Sequence, residues 1–190
     1  MILSNVEIVR CLGEKYFEIE PLAGTDPSQP PFNTSAVDLR LGDEILVPDS
    51  HSPVQLDLRK PGIAPFWAKH SKTHTITDDR PYSLVPNKLI LAKTLERVNF
   101  PLLNSGTCFS ARVEGKSSLA RCGILVHFTA PTIHAGFSGT ITLEIINLGT
   151  FDFLLSPGMF VCQLIIEEVR GTPASAPNQF KGQSRAAGVY

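Results

Sequence analysis

Turn-forming residues lie so densely along this chain that no long helix fits between them. Fifteen prolines and fourteen glycines punctuate 190 residues. Proline fixes its own φ and removes a backbone donor, and glycine accepts the tight turns that other residues avoid. Between these stops run short segments that alternate apolar and polar residues with the two-residue period of a half-buried strand. They are residues 16–20 (YFEIE), 35–42 (SAVDLRLG, stopped by Gly42) and 44–47, a continuation of that strand or its hairpin partner. Residues 82–85 and 88–94 follow around a Pro86-Asn87 turn, then 140–145 (TITLEI), then 151–155 and 159–169 on either side of Ser156-Pro157-Gly158. Residues 1–10 differ, with Ser4 positioned to cap a short helix carrying Val6, Ile8 and Val9. The pattern predicts an all-β fold of roughly ten short strands with few short helices, a barrel or jelly-roll by its spacing.

The predicted domain occupies residues 1–170. Residues 171–190 are low in hydrophobicity and read as a flexible C-terminal tail. Residues 23–33 (AGTDPSQPPFN) form a proline-rich loop, and 50–80, poorly patterned and rich in His, Lys and Pro, read as a surface excursion carrying Trp67. A net charge of −1 leaves no global field for nucleic acid or an anionic membrane, so any polyanion site must be local. No apolar run reaches the ~18–20 residues of a membrane span, and the N-terminus lacks a signal-peptide pattern. Charged residues are 18%, below the usual quarter or so, which suits a compact protein with surface to bury in an oligomer. Cysteines 11, 108, 122 and 162 make no CxxC pair, which excludes a zinc ribbon and a thioredoxin-like motif. They read as free, mostly buried thiols in a reducing cytoplasm.

Two stretches can carry chemistry. In residues 115–123 (GKSSLARCG), Ser117 can cap a short helix that Gly123 ends. Free N–H groups, the Ser117 and Ser118 hydroxyls and the Lys116 ammonium then favour an anion such as phosphate. The same residues also describe an ordinary capped turn with a solvated lysine. They are not a Walker A loop, because Ser110 stands where that motif needs glycine. In the strand 140–145, alternation puts Ile141, Leu143 and Ile145 on the core face and Thr140, Thr142 and Glu144 on the other. Glu144 is then either a solvated charge or a cleft carboxylate able to activate water. Ile124, Val126 and Phe128 take the core face of 124–129, which leaves His127 as a structural histidine, and His134 falls in a turn. Neither makes an HxE or HxxxH pair, so no histidine metal site is indicated.

Lys116-Ser117-Ser118-Leu119-Ala120-Arg121, followed by residues 134–144 (HAGFSGTITLE), resembles the dCTP deaminase family, relatives of the trimeric dUTPases. Residues 35–42 resemble that family's early strand, 90–101 (ILAKTLERVNFP) its middle strand and turn, and Phe180-Lys181-Gly182-Gln183 its nucleotide-closing tail. The resemblance implies a dUTPase-like distorted β-barrel, a homotrimer with active sites between subunits, and hydrolysis of dCTP to dUTP and ammonia. No zinc is implied, unlike in deaminases that carry an H-x-E and P-C-x-x-C pair.

By position, Glu144 is the general base for water attacking C4, with the raised pKa that burial can give a glutamate. Ser117 and Arg121 help hold the water and Glu144. Lys116, Ser117 and Ser118 contact the triphosphate, with Leu119 and Ala120 in the same substrate-binding turn. Backbone groups of Thr142 and Leu143 read the sugar or base, and Gln183 reaches the phosphates from the tail. Mg²⁺ is implied as an ion held mainly by the triphosphate, with no protein metal ligands. The chain departs from the family at Lys116, where arginine is usual, at Gln179, where lysine is common, and at His134, where aspartate is usual. His134 is expected against the ribose. The loss of that aspartate argues against triphosphate cleavage to dUMP, and the three departures keep open a non-catalytic trimeric nucleotide-binding regulator; a bifunctional deaminase and dUTPase-type hydrolase is the alternative enzyme reading.

Overall fold

The structure is a computed structural model that describes residues 1–49, 55, 57, 59, 62–104, 106–177 and 180–188. The chain opens with helix α1 (Asn5–Gly13), where Ser4 Oγ accepts a hydrogen bond from the Glu7 amide as predicted. Ile8 and Cys11 on its inner face are fully buried. Short strands β1 (Glu18–Glu20) and β2 (Phe32–Asn33) lead into the long β3 (Ala36–Pro48). Helix α2 (Ile63–Lys69), β4 (Ser71–Thr75), β5 (Tyr82–Leu84) and β6 (Leu89–Asn99) follow. The second half comprises β7 (Cys108–Gly115), the one-turn α3 (Ser117–Ala120), β8 (Ile124–Val126) and β9 (Thr132–Ile133). It ends with β10 (Ser138–Asn147), β11 (Phe153–Leu155) and β12 (Phe160–Val169).

The main sheet runs β8-β10-β6-β3-β12-β7-β9, with β1 on β6 and β2 and β4 on β3; β5 and β11 form a separate pair. The sheet curls into a half-barrel, the all-β architecture with few helices that the sequence predicts. Register shifts supply the curl, since an extra residue bends and twists a strand. They fall between Leu41 and Ile45 in β3, Thr140 and Thr142 in β10, and Phe160 and Cys162 in β12. At the first of them, a Cβ on Gly42 would come within 3.0 Å of the Lys93 carbonyl. Glycine there permits the close approach of β3 and β6. Glu96, 2% exposed, sits behind this bend and takes both the Arg40 amide (2.8 Å) and the Arg40 guanidinium (2.6 Å).

Inside the curl, Phe17 stacks against Phe100 and Phe109 with ring centroids 5.5 and 5.3 Å apart. The inward residues of the long strands complete one core. Asn147, fully buried, ties the end of β10 to its surroundings. Its amide donates to the Leu84 and Phe151 carbonyls at 2.9 and 2.8 Å, and its Oδ1 accepts from the Gly149 amide at 2.9 Å.

Several expectations are corrected. Twelve strands are present among the described residues, and β3 passes through Gly42 instead of stopping there, because the bulge keeps it paired. The strands predicted around the Pro86-Asn87 turn are present as β5 and β6, which pair elsewhere: β5 with β11, and β6 with β3 and β10. Phe128 leaves the core face and is 43% exposed, because His127 takes a left-handed φ of 54° and ends the alternation. The excursion is more than a loop, since it contains helix α2 and β4 extends the sheet from β3. Its residues 50–54, 56, 58, 60 and 61 lie outside the described residues, as does Gln179. Cys11, Cys108 and Cys162 are buried, Cys122 is exposed, and all four thiols are free.

Candidate active site

Strand β10 alternates without a break: Ile141, Leu143 and Ile145 are buried, while Thr140, Thr142 and Glu144 are half-buried on the opposite face. The predicted face assignment therefore holds. What stands opposite Glu144 follows from register. β8 pairs antiparallel to β10 with Val126 across from Ile145, so the next residue, His127, meets Glu144. The His127 amide donates to the Glu144 carbonyl at 2.8 Å, and His127 Nδ1 lies 3.0 Å from Glu144 Oε2. The other ring nitrogen, Nε2, is 2.8 Å from the Ala130 carbonyl. A carbonyl only accepts, so Nε2 carries a hydrogen. Nδ1 is thus the ring atom turned toward the carboxylate. The pair stands at ion-pair distance without hydrogen-bond alignment, and neither atom has a hydrogen-bond partner.

Burial is the largest influence on the Glu144 carboxyl and pushes its pKa up. The His127 contact, the charge of that ring and a backbone amide together outweigh it, and the net pKa lies below the usual glutamate value. The raised pKa expected from burial alone is thus not found in the single, uncovered chain.

Four buried polar side-chain atoms lack a hydrogen-bond partner among the described residues: Thr142 Oγ1, Glu144 Oε2, His127 Nδ1 and Ser71 Oγ. Three of the four gather on β10 and the residue facing it. Folded proteins rarely leave such atoms unpaired, so a cluster of them marks a place completed by a ligand or water. The neighbouring backbone is open as well. β8 covers the outer edge of β10 only at Ile145–Asn147, and His127 extends this to Glu144. At the strand's beginning, the Gly182 amide donates to the Ser138 carbonyl at 2.5 Å and the Thr140 amide to the Gln183 carbonyl at 3.0 Å. Between these contacts, at 141–143, no strand lies against that edge among the described residues.

The basic turn is built differently from its prediction. Lys116, with extended φ and ψ of −87° and 132°, occupies the cap position and makes no side-chain cap bond; Ser117 is the first helical residue. The Ser117 and Ser118 side chains are consequently free of capping, and both are exposed. Gly123 ends the turn with φ of 86°, its amide donating to the Ala120 carbonyl at 3.0 Å. Lys116 pairs with the Asp38 carboxylate, which also accepts from Gln163 and Asn33 at 3.3 and 2.9 Å. Leu119 packs on the core, and Ala120 borders a groove shared with His127 and Phe128. Arg121 is exposed and has no ion pair among the described residues.

The structure thus brings Glu144, Thr142, Leu143 and Gln183 to one strand edge, and sets the turn beside His127. It does not bring Ser117 or Arg121 into contact with Glu144 within one chain: the carboxylate meets only His127 among the described side chains. His134 is exposed on the turn entering β10. His127 is the residue that periodicity passed over, and the pairing register of β8 with β10 was the signal that could have found it. Among the described residues, no three His, Cys, Asp or Glu side chains gather into a set able to hold a metal ion. No described helix is long and apolar enough to cross a membrane.

Fold and site together define a class, a half-barrel β domain with a strand edge left uncovered among the described residues. The same fold is found in a solved 2'-deoxycytidine 5'-triphosphate deaminase from Agrobacterium tumefaciens, with a TM-score of 0.64 at 19% identity. That match covers 88% of this chain and 47% of the other, so the present chain spans about half that length. More narrowly, the chain belongs to the dCTP deaminase-like family, whose profile matches residues 2–169. Relatives include a "dCTP deaminase, dUMP-forming" of Methanosphaera stadtmanae, 37% identical over 93% of this chain and 83% of its own. A protein of Haloarcula marismortui named dCTP deaminase is 35% identical over 97% of this chain and 91% of its own.

Proposed function

We propose that this protein deaminates dCTP, water replacing the 4-amino group of cytosine to give dUTP and ammonia. The observation that carries the reading is the cluster of buried polar atoms without a hydrogen-bond partner at Thr142 and at the facing Glu144 and His127, in a chain of the dCTP deaminase-like family. Glu144 removes a proton from water as the oxygen attacks C4. It then returns protons to the ring and to the departing amine, so that one water is consumed and one ammonia released. The nucleotide covers a carboxylate that is 32% exposed in the open chain. Covering adds to burial, already the largest influence on its pKa, and moves the pKa up towards the working range of a general base.

Ser117 and Arg121 hold the water and Glu144. Lys116, Ser117 and Ser118 face the triphosphate, backbone groups of Thr142 and Leu143 read the base and sugar, and His134 lies against the ribose. The tail, residues 171–190, covers the nucleotide, with Gln183 reaching the phosphates from its place at the start of β10. Mg²⁺ is carried mainly by the triphosphate oxygens, as a hard cation prefers. Zinc has no part in this scheme, and the cytoplasm, where nucleotide triphosphates are made, is its setting.

Among the described residues of one chain Glu144 and Arg121 do not meet, which supports a homotrimer whose sites form between subunits. Mixing Glu144→Gln with Arg121→Ala subunits and allowing exchange then restores activity that neither variant has alone. A mixture that stays inactive after confirmed exchange contradicts shared sites.

His127 gives a pH prediction. Activity requires ionised Glu144 and fails as pH drops through its pKa, which the histidine helps to hold below the usual glutamate value. His127→Ala removes the two lowering influences of the ring and leaves burial against the backbone amide alone, so the pKa rises and the acid limb of kcat/KM moves to higher pH. An unmoved or lowered limb contradicts that role.

A second reading has a specific support. Relatives from Methanosphaera stadtmanae and Methanobrevibacter smithii, 37% and 38% identical, carry the name dUMP-forming. On that reading dUTP is cleaved onward before release. Incubation with dCTP, CTP, dCMP and dUTP decides between them: ammonia with intact dUTP supports deamination alone, and pyrophosphate with dUMP supports the coupled reaction. Binding without ammonia from any cytosine nucleotide would leave a non-catalytic regulator.

A further inference from the structure

The C-terminal segment makes a second attachment that the proposed chemistry does not use. Glu44 of β3 is 8% exposed, although Ile45 and Leu46 beside it are core residues and nothing in the strand pattern calls for a carboxylate there. A carboxylate taken out of water is costly unless its oxygens are satisfied by charged or amide donors. Here the donors come from the tail. The Ala186 amide donates to Glu44 Oε1 at 2.7 Å, and Arg185 Nε donates to Oε2 at 2.5 Å. Lys93 Nζ adds a bond to the Ser184 carbonyl at 3.3 Å. Ala186 and Ala187 are 0% and 8% exposed and pack on Leu46 and Leu91, with Trp67 of α2 against them. Two consecutive small side chains let the tail backbone come close enough for its amide to reach the carboxylate. The excursion after β3 thereby acquires a role, because α2 supplies one wall of the clasp.

We propose that Glu44 is a positioning residue, anchoring the distal tail to β3 before any nucleotide arrives. The anchor lies two residues beyond Gln183, which is 5% exposed and donates from Nε2 to the Thr140 carbonyl at 2.8 Å. Holding Arg185 and Ala186 therefore holds Gln183 at the start of β10. What Gln183 does there rests on the deaminase reading; that Glu44 fixes the tail does not. A ligand that binds only the docked form loses apparent affinity in proportion to the docked fraction. The clasp thus acts on nucleotide binding and not on the chemical step.

The test uses the full-length protein without nucleotide. Trypsin can cut the tail after Lys181 and Arg185, and its rate follows the population of the undocked tail. Glu44→Ala is expected to raise the tail-cutting rate about tenfold, with Glu44→Gln in between because it keeps an acceptor for the Ala186 amide. Apparent KM for dCTP rises in step while kcat holds, and the unfolding temperature of the domain stays put. Ala186→Leu, which alters only the tail, reproduces the effect if Glu44→Ala compromises folding. Equal cutting of wild type and both variants overturns the anchor. Faster cutting with unchanged KM overturns its positioning role. If the wild type releases no ammonia, the deaminase reading fails, whereas the trypsin result still decides the anchor and dCTP affinity replaces KM as its second readout.

Discussion

Glu144→Gln is expected to lose ammonia release from dCTP by roughly a thousandfold or more, the scale of removing a positioned general base, while still binding the nucleotide. Glutamine matches glutamate in size and keeps the place of residue 144 on β10 between buried Leu143 and Ile145. The proton-accepting charge is gone, so water at C4 has no base. Nucleotide contacts along the strand edge and at the basic turn involve other groups, and dCTP affinity measured by calorimetry should stay close to wild type. A combined loss of affinity and turnover would point to a misfolded edge, and wild-type turnover would show that the carboxylate does not activate water.

The second large effect is on the corner that carries the basic turn. Gly123 holds φ of 86°, and a Cβ there would come within 2.5 Å of the Gly149 amide nitrogen. The Gly123 carbonyl also accepts from the Leu148 amide at 2.8 Å, so the two loops are locked face to face. A β-branched side chain is strained at positive φ, and backbone cannot yield as a flexible side chain does. Gly123→Val should cost on the order of 3 kcal/mol, lowering the unfolding midpoint by roughly 10 °C. The variant should also lose activity at temperatures where it remains folded, because the corner holds α3, with Ser117 at its start and Arg121 at its C-cap. Thermal unfolding with activity measured well below the midpoint separates the two losses. An unchanged midpoint would mean that the corner opens readily.

The long strands were legible because their burial is one-sided. Residues 138–147 alternate without exception, and that alone assigned Ile141, Leu143, Ile145 and Glu144 to their faces. The α1 cap was equally local, one serine and one amide. Long-range pairing was not. Ser83 and Leu154 find each other across some seventy residues, a partnership no turn signal encodes. The same limit hid His127. Its neighbours Ile124 and Val126 announced a core strand, and only the register of β8 against β10 shows the histidine meeting a carboxylate. The turn at 116–121 was recognised as a unit, but the capping role went to the extended backbone of Lys116, and the lysine ammonium went to Asp38, seventy-eight residues earlier in the chain. The tail looked unstructured by composition because its attachment uses backbone amides, two alanines and one buried glutamate on a distant strand.

The central claim, that water attacks the cytosine ring at a site organised by Glu144, is tested most directly by turnover of dCTP in heavy-oxygen water with mass analysis of the products. The account predicts one heavy oxygen in the uracil base of every product nucleotide, with ammonia released in equal amount and the label missing from Glu144→Gln reactions. Product whose base carries no label, or label found only in phosphate, would contradict it.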